Sequence, residues 1–288
     1  MPIDIDHLRS WIGRTTLAVD EVTAVPVRAL AATLDRDDGA RAGEALPTCW
    51  HWLYFLPVAR PSEISSDGHP RRGAFLPPVP LPRRMWAGSQ LELHRPISVG
   101  QALVRRSCIE DVRLKEGRAG PLVFVTVCHE LQAQGELAIT ERHDIVYRDL
   151  HRPGEPGPAR AAAAALSAAP AGGTWTRRIV ADDVMLFRYS ALTFNGHRIH
   201  YDRRYATEVE GYPGLVVHGP LIATLLLELL RRELPQAQVT RFEFRAVKPI
   251  FDIAPFDLHG RRDGVRRVRL WALTPEGELA MDANAELA

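Results

Sequence analysis

A proline- and alanine-rich segment at 151–173 divides the chain. It reads HRPGEPGPARAAAAALSAAPAGG, with four prolines, an alanine run and a closing pair of glycines. Such a composition offers little apolar surface for a core, and its prolines and glycines interrupt regular structure. The segment therefore predicts a linker between an N-terminal domain at 1–150 and a C-terminal domain at 174–288, both of ordinary domain size.

The two parts repeat one order of local signals. Each has a proline-containing segment, then two β-rich runs, then a Gly-Glu-Leu-Ala turn. These elements lie at 94–101, 103–112, 122–131 and 135–138 in the first part, and at 247–252, 256–260, 265–273 and 277–280 in the second. Runs joined by such turns predict antiparallel hairpins. The repeated order favours a duplication.

Few segments have a helical pattern. The clearest is 220–233, PLIATLLLELLRRE, with proline in its first turn and Arg231 and Arg232 at its end, where cations suit the helix dipole. Because it is apolar on nearly every side, we expect it to be buried. A second candidate covers 24–34. One buried helix among antiparallel strands predicts an α+β fold in which a sheet wraps a helix.

Charge and composition exclude several classes of protein. The chain has 36 Lys and Arg against 35 Asp and Glu, and this balance argues against a nucleic-acid-binding face. Three widely spaced cysteines fit neither a disulfide framework nor a zinc site. The most apolar stretch, 221–230, is too short to span a membrane, and the acidic N-terminus lacks the layout of a signal peptide. We expect a cytoplasmic protein.

Polar residues with chemical potential concentrate between Tyr189 and Leu221. Three of the eleven histidines lie there, namely His197, His200 and His218. Histidine can act as a base near neutral pH. Gly219 follows His218 at the start of the predicted buried helix, where a free amide can hold a developing oxyanion. A base beside an oxyanion donor suits proton transfer next to a carbonyl or thioester.

These residues resemble the motif of a known family. The run Phe194-Asn195-Gly196-His197-Arg198-Ile199-His200-Tyr201-Asp202, with Tyr205-Ala206 and His218-Gly219, resembles the motif of MaoC-like R-specific enoyl-CoA hydratases (hydratase 2). The runs 50–55 and 75–88 are similar to a narrower branch. That branch contains mesaconyl-C4-CoA hydratases, itaconyl-CoA hydratases and mitochondrial 3-hydroxyacyl-thioester dehydratases.

The resemblance implies a fold and an activity. The fold would be a double hot-dog, with two antiparallel sheets each wrapped around a central helix, the second half catalytic and the first helping to form the acyl pocket. The activity would be reversible hydration of an α,β-unsaturated acyl-CoA, preferably a C5 dicarboxylic one: itaconyl-CoA or mesaconyl-C4-CoA, giving citramalyl-CoA. No cofactor beyond the CoA of the substrate is implied, and by analogy such chains form homodimers.

The resemblance also assigns site residues. His200 matches the catalytic histidine, and Gly219 matches the glycine whose amide binds the thioester oxygen. Asn195 stands where the general pattern has a catalytic aspartate, and an amide cannot take up a proton. In one account, which we favour, Asn195 orients the water, His200 removes its proton, and His200 or His197 protonates the α-carbon. In the other, Asp202 replaces the missing acid.

Further residues are expected at the substrate. Tyr189, His197 and His218 would support the catalytic groups. Either Arg83 or Arg84 would bind the free carboxylate of a dicarboxylic chain through a bidentate pair, and Trp86 would wall the acyl pocket. A metal site made of His197, His200, Asp202 and His218 is less favoured, because the spacing is loose and the chemistry needs no metal.

Three alternatives remain open at this point. The first is a 3-hydroxyacyl-thioester dehydratase that acts on monocarboxylic chains. The second, weaker one is a hot-dog thioesterase, although the chain has no Gly-x-Ser-x-Gly elbow. The third is a hot-dog module that binds its ligand without catalysis, since the usual aspartate is absent.

Overall fold

Ten strands form one antiparallel sheet in a computed structural model that describes residues 3–73, 75–117, 120–149, 170 and 172–288. The strands are β1 Thr15–Glu21, β2 Arg83–Leu93, β3 Ala102–Gly117, β4 Gly120–Ala133, β5 Glu136–Arg148, β6 Trp175–Ile179, β7 Val239–Ala246, β8 Phe256–Arg262, β9 Arg267–Leu273 and β10 Leu279–Leu287. Most of the linker predicted at 151–173 lies outside the described residues. The proposed domain limits at 1–150 and 174–288 therefore stay a prediction.

Four α-helices accompany the sheet in the described part of the chain. They are α1 Ile5–Arg9, α2 Ala24–Thr33, α3 Asp183–Leu192 and α4 Gly219–Glu233, with short 3-10 turns at Trp50–Leu53, Pro61–Glu63 and Arg198–His200 and a π-helical turn at Tyr205–Val209. The helices predicted at 24–34 and 220–233 are thus confirmed, whereas α3 was not foreseen. Among the described residues no helix has the length and apolarity needed to cross a membrane.

The order of strands repeats between the two halves of the sheet. From edge to centre it is β1-β3-β4-β5-β2 in the N-terminal half and β6-β8-β9-β10-β7 in the C-terminal half, so each strand has a counterpart five numbers higher. The topology agrees with the duplication inferred from the sequence. The halves do not form two separate sheets, because residues 88–92 of β2 pair with residues 241–245 of β7 at the centre.

The C-terminal half wraps around α4. This helix is buried from Leu221 to Leu230 and packs against β6, β8, β9 and β10. Its one buried acid, Glu228, is neutralised by Arg36 at 3.1 Å and by Arg231 at 2.9 Å. A helix that is apolar on all sides is stable in this position because every face is covered.

The N-terminal half differs from the expected arrangement of one central helix per sheet. Its counterpart segment, between α2 and β2, contains eight prolines from Pro47 to Pro82, and its described residues form short 3-10 turns and isolated bridges in place of a helix. Proline in a helix interior removes a hydrogen bond and clashes with the preceding turn. Because α2 packs against α3 instead, part of the inner face of this half-sheet borders a cavity.

A glycine at the junction between the halves is expected to be sensitive to substitution. A Cβ atom added at Gly88 would overlap the carbonyl oxygen of Phe244 on β7. We expect Gly88→Val to lower the free energy of unfolding by about 1–3 kcal/mol, as overpacking does, in urea titrations. The control Gln90→Ala, at an exposed position of the same strand, should change it by less than about 0.5 kcal/mol. Equal stability of the two variants would contradict the close approach of β2 and β7.

Candidate active site

The motif begins in a tight turn after α3. Phe194 has a left-handed backbone with φ 49°, and the amide of Asn195 donates to the carbonyl of Ser190 at 2.8 Å. The side-chain oxygen of Asn195 accepts the backbone N–H of His197 at 3.0 Å. This local bond fixes the amide plane, and Asn195 retains its Nδ2 group as a donor toward the cavity that it lines.

His200 is arranged as a neutral base. Its Nδ1 lies 2.7 Å from the carbonyl oxygen of Val216, and because a carbonyl only accepts, Nδ1 carries the hydrogen and Nε2 the lone pair. The residue is 7% exposed. Burial lowers the pKa of His200 to about 4, against the smaller opposing effect of the Val216 bond. At neutral pH the imidazole is therefore uncharged and able to accept a proton.

His200 packs against His218, which in turn contacts the buried side chains of Tyr189 and Ser190. The rings of His200 and His218 stack with centroids 3.7 Å apart, and Tyr189 meets His218 edge-on at 5.0 Å. The Nε2 of His218 bonds to the Ser190 hydroxyl at 2.8 Å. Burial holds the pKa of His218 well below its usual range. His218 thus serves as a neutral packing and hydrogen-bonding partner.

Gly219 offers a free amide at the start of α4. It is the first residue of the helix, and Pro220 after it has no N–H group. Outside its chain neighbours and its own helix, no heavy atom lies within 4 Å of a Cβ built at Gly219. Outside α4 itself, no backbone carbonyl of the described residues accepts a hydrogen bond from the Gly219 N–H, and the helix dipole favours an acceptor oxygen there.

A cavity of about 950 Å³ lies in front of these groups. The C-terminal half contributes Tyr189, Ser190, Asn195, Gly196 and Pro220 to its wall, and the N-terminal half contributes Trp52, His69, Arg84 and Trp86 among others. Of the predicted residues, Tyr189, Asn195, Arg84 and Trp86 line it. Four of the other predicted residues lie directly behind this lining. His197 and His218 contact lining side chains through their rings, and His200 and Gly219 are adjacent along the chain to lining residues.

The two neighbouring arginines of β2 have different environments. Arg83 is 8% exposed and pairs with the carboxylate of Glu210 at 2.8 Å, so it stabilises the fold outside the cavity. Arg84 points to the opposite side of the strand, as alternation requires, and lines the cavity. Of the two arginines predicted to bind the substrate, Arg84 is therefore the candidate that remains.

Polar groups on the inner face of the N-terminal half-sheet were not identified from the sequence. The carboxylate of Glu141 is buried and accepts hydrogen bonds from Ser89 at 2.8 Å, His51 at 3.1 Å and Trp52 at 3.2 Å. Burial alone raises the pKa of Glu141, but the bond from His51 together with the electrostatic interactions of the neighbouring histidines outweighs it and leaves the pKa below its usual range. Glu141 thus remains charged inside the wall.

Two further histidines on this face are neutral. His129 on β4 and His143 on β5 both line the cavity. Burial lowers the pKa of His129 to about 4 and that of His143 to about 3. The Nε2 of His143 is buried without a partner in the described structure. Polar residues alternating along strands β4 and β5 were the available sequence signal, since an inner face normally carries apolar ones.

A loop of the N-terminal half also reaches the motif. His69, bonded to Asp67, lies with its ring 4.1 Å from that of His197, and His197 lies 5.5 Å from His200. Among the described residues Asp67, His69 and His197 are the group with the spacing of metal ligands. The metal site considered from the sequence, made of His197, His200, Asp202 and His218, does not have this spacing. Asp202 pairs with Arg198 at 2.7 Å, and His200 stacks on His218.

Comparisons with known proteins agree with this architecture. Residues 49–252 match the family model described as hydroxyacyl-thioester dehydratase type 2. The chain is 48% identical to the mesaconyl-C(4)-CoA hydratase of Chloroflexus aurantiacus, over 96% of this chain and 97% of that protein. It is 30% identical to the mitochondrial hydroxyacyl-thioester dehydratase type 2 of Schizosaccharomyces pombe, over 70% and 73% of the two chains.

A solved structure identifies the fold. A Mycobacterium tuberculosis protein whose structure is described as a double hot-dog fold superposes with a TM-score of 0.54 and 14% identity, over 96% of each chain. The α+β double hot-dog predicted from the motif is confirmed, with the second half-sheet wrapped around α4 and the first open to the cavity. The chain belongs to the hydroxyacyl-thioester dehydratase type 2 family.

Proposed function

We propose that this protein adds water reversibly across the α,β double bond of an acyl-CoA thioester. The preferred substrate is a C5 dicarboxylic chain, mesaconyl-C4-CoA or itaconyl-CoA, with citramalyl-CoA as the product. The observation that carries the proposal is a neutral His200, with its lone pair on Nε2, stacked on His218, the residue that precedes the Gly219 amide at the start of α4. The 48% identity to a mesaconyl-C(4)-CoA hydratase supports it.

The geometry suggests a role for each group. The Gly219 N–H donates a hydrogen bond to the thioester oxygen and stabilises the negative charge that develops there, as oxyanion donors do. Asn195 positions the water through Nδ2. The Nε2 atom of His200 removes a proton from that water while the oxygen attacks the β-carbon. Asp202 is unsuited as the second acid, because its carboxylate already binds Arg198 and the amide of Tyr205.

Arg84 supports a dicarboxylic substrate. It lines the cavity, and no ion pair joins it to a carboxylate within the described parts of the chain. A guanidinium in that position can bind the distal carboxylate of the acyl chain bidentately. The unpartnered Nε2 of His143 on the same wall offers a further polar contact. Trp86 packs against the His143 ring at 3.9 Å and limits the space beside it.

The proposal needs no cofactor beyond the CoA of the substrate. It also includes a cytoplasmic location and a homodimer of double hot-dog chains, both by analogy with proteins of this architecture.

A second candidate is a 3-hydroxyacyl-thioester dehydratase that acts on monocarboxylic chains. The cavity volume favours it, because about 950 Å³ lies at the upper end of the roughly 300–1,000 Å³ found for ligand pockets and leaves room for a longer chain. The dehydratase name of the Schizosaccharomyces pombe relative is consistent with it.

We expect the purified protein to consume the enoyl-thioester absorbance of mesaconyl-C4-CoA or itaconyl-CoA without releasing free thiol. Crotonyl-CoA serves as the monocarboxylic comparison and should react more slowly. Release of free thiol would instead indicate a thioesterase. Binding without any absorbance change would indicate a non-catalytic module. Either result would contradict the proposal, and faster reaction of crotonyl-CoA would favour the second candidate.

The same assay includes a control for the base. His200→Ala should lower turnover by about 10²–10⁴, the contribution of a positioned general base, whereas the exposed His94→Gln should leave it unchanged. Unchanged turnover in His200→Ala would refute the role of this residue.

Arg84→Gln should discriminate between substrates. We expect kcat/KM to fall about 10–100-fold for the dicarboxylic thioester, because a charge-assisted hydrogen bond to the carboxylate contributes roughly 1.5–3 kcal/mol. The value for crotonyl-CoA should change little. Arg142→Gln, which removes an exposed arginine paired with Glu110, is the matched control. Equal losses for both substrates would contradict recognition of the distal carboxylate by Arg84.

A further inference from the structure

His69, which is hydrogen-bonded to Asp67, lines the cavity from the N-terminal half. One carboxylate oxygen of Asp67 accepts the backbone N–H of His69 at 3.0 Å, and the other lies 3.1 Å from Nδ1 of the ring. The hydrogen bonds from His69, against the opposing effect of burial, hold the pKa of Asp67 below its usual range, so it is ionised. Nδ1 therefore carries the hydrogen, and Nε2 is the nitrogen free to exchange a proton.

The loop that carries this pair is clamped onto the motif. Gly68 has φ +91°, and a Cβ atom there would overlap the carbonyl oxygen of Gly196. Arg198 binds the loop twice, through its backbone N–H to the carbonyl of Asp67 at 2.9 Å and through Nη1 to the carbonyl of Ser66 at 3.1 Å. The position of His69 relative to Asn195 and Gly196 is thus set by backbone contacts.

His69 is the first of four neighbouring imidazoles. Its ring lies 4.1 Å from His197, which lies 5.5 Å from His200, which stacks on His218 at 3.7 Å. Within the described structure, only His69 of these four has a carboxylate in hydrogen-bonding contact. Among these four imidazoles a positive charge is therefore best stabilised on His69, because an opposite charge within a few ångströms favours the protonated imidazole.

We propose that His69, oriented by Asp67, is the second acid–base residue and replaces the carboxylate that the motif lacks at Asn195. This inference rests on the proposed hydration. As His200 takes a proton from water, the oxygen bonds to the β-carbon and the π electron pair moves toward the α-carbon and the thioester. The imidazolium of His69 then donates its Nε2 proton to the α-carbon.

The reverse reaction uses the same groups in exchanged states. Neutral His69 takes the α-proton, and protonated His200 gives its proton to the departing hydroxyl, which leaves as water. Each turnover in either direction moves one proton between the two histidines, and exchange with solvent restores the starting form. Atoms and charge balance without a further reactant.

This division of roles gives hydration a two-sided pH dependence. Burial lowers the pKa of His69 below 6.5, with Asp67 opposing the shift and Arg84 and Arg72 adding to it. Because hydration needs protonated His69, kcat/KM falls as pH rises through that pKa. Hydration also needs neutral His200, which faces His69, His197 and His218, so kcat/KM falls again as pH drops through about 4.

A metal site at Asp67, His69 and His197 is the competing explanation, since their ligand atoms lie within 4.8 Å of one another. The ring geometry favours acid–base chemistry. The rings of His69 and His197 overlap at 43°, whereas ligands of one metal direct their nitrogens at a shared point. The Nδ1 atom of His69 is already occupied by Asp67.

The test is the pH profile of kcat/KM for hydration by the full-length protein, with the enoyl-CoA that it hydrates fastest. The wild-type profile should fall on both sides, with its alkaline limb below pH 6.5. We expect His69→Gln to lower kcat by about 10²–10³ with little change in KM and to abolish the alkaline limb. Asp67→Asn should move that limb to lower pH, and imidazole added to His69→Ala should restore part of the rate. His94→Gln should keep the wild-type profile.

Four outcomes bear on the role of His69. A wild-type profile without the alkaline limb, or an unchanged profile in His69→Gln, overturns the role of His69 while the hydratase stands. A stoichiometric divalent metal in the purified protein that is lost in Asp67→Asn overturns it in favour of a metal site. Absence of hydration by the wild type overturns the proposed function and this inference with it. If His69→Gln does not fold, the profiles of the wild type and Asp67→Asn decide.

Discussion

The pairing of β2 with β7 is the central contact of the fold. It joins two half-sheets of equivalent strand order into one sheet, with Gly88 allowing the backbones to approach. Through it the inner face of the N-terminal half-sheet borders the start of α4, where the Gly219 amide lies. Without this pairing the cavity would lose one of its two walls, because Arg84 and Trp86 lie on β2 itself.

The two halves of the duplication have separate physical tasks. In the C-terminal half α4 fills the sheet and contributes eight buried apolar residues to the core. In the N-terminal half a proline-rich segment takes the place of such a helix, and the space it leaves carries polar groups. Those groups are costly to bury unless they are hydrogen-bonded. Glu141, with donors from His51, Trp52 and Ser89, meets that requirement.

Much of the architecture could be predicted because its signals are local. The apolar run of α4 and the hairpin turns at Gly135 and Gly277 follow from short-range patterns, and the motif located Asn195, His200 and Gly219. The distinction between Arg83 and Arg84 required the register of β2, which has a bulge at Trp86–Gly88. Asp67 and His69 could not be placed beside His197, because that contact depends on a loop docking across the two halves. The local sequence Asp67-Gly68-His69-Pro70 does not indicate a contact with His197.

The proposed substrate geometry can be tested directly in the structure of the protein bound to a saturated, unreactive analogue of mesaconyl-C4-CoA. We expect the acyl group in the cavity, its thioester oxygen within hydrogen-bonding distance of the Gly219 amide and its distal carboxylate on Arg84. The β-carbon should face the space between Asn195 and His200. An acyl chain bound outside this cavity, or a thioester oxygen turned away from Gly219, would contradict this geometry.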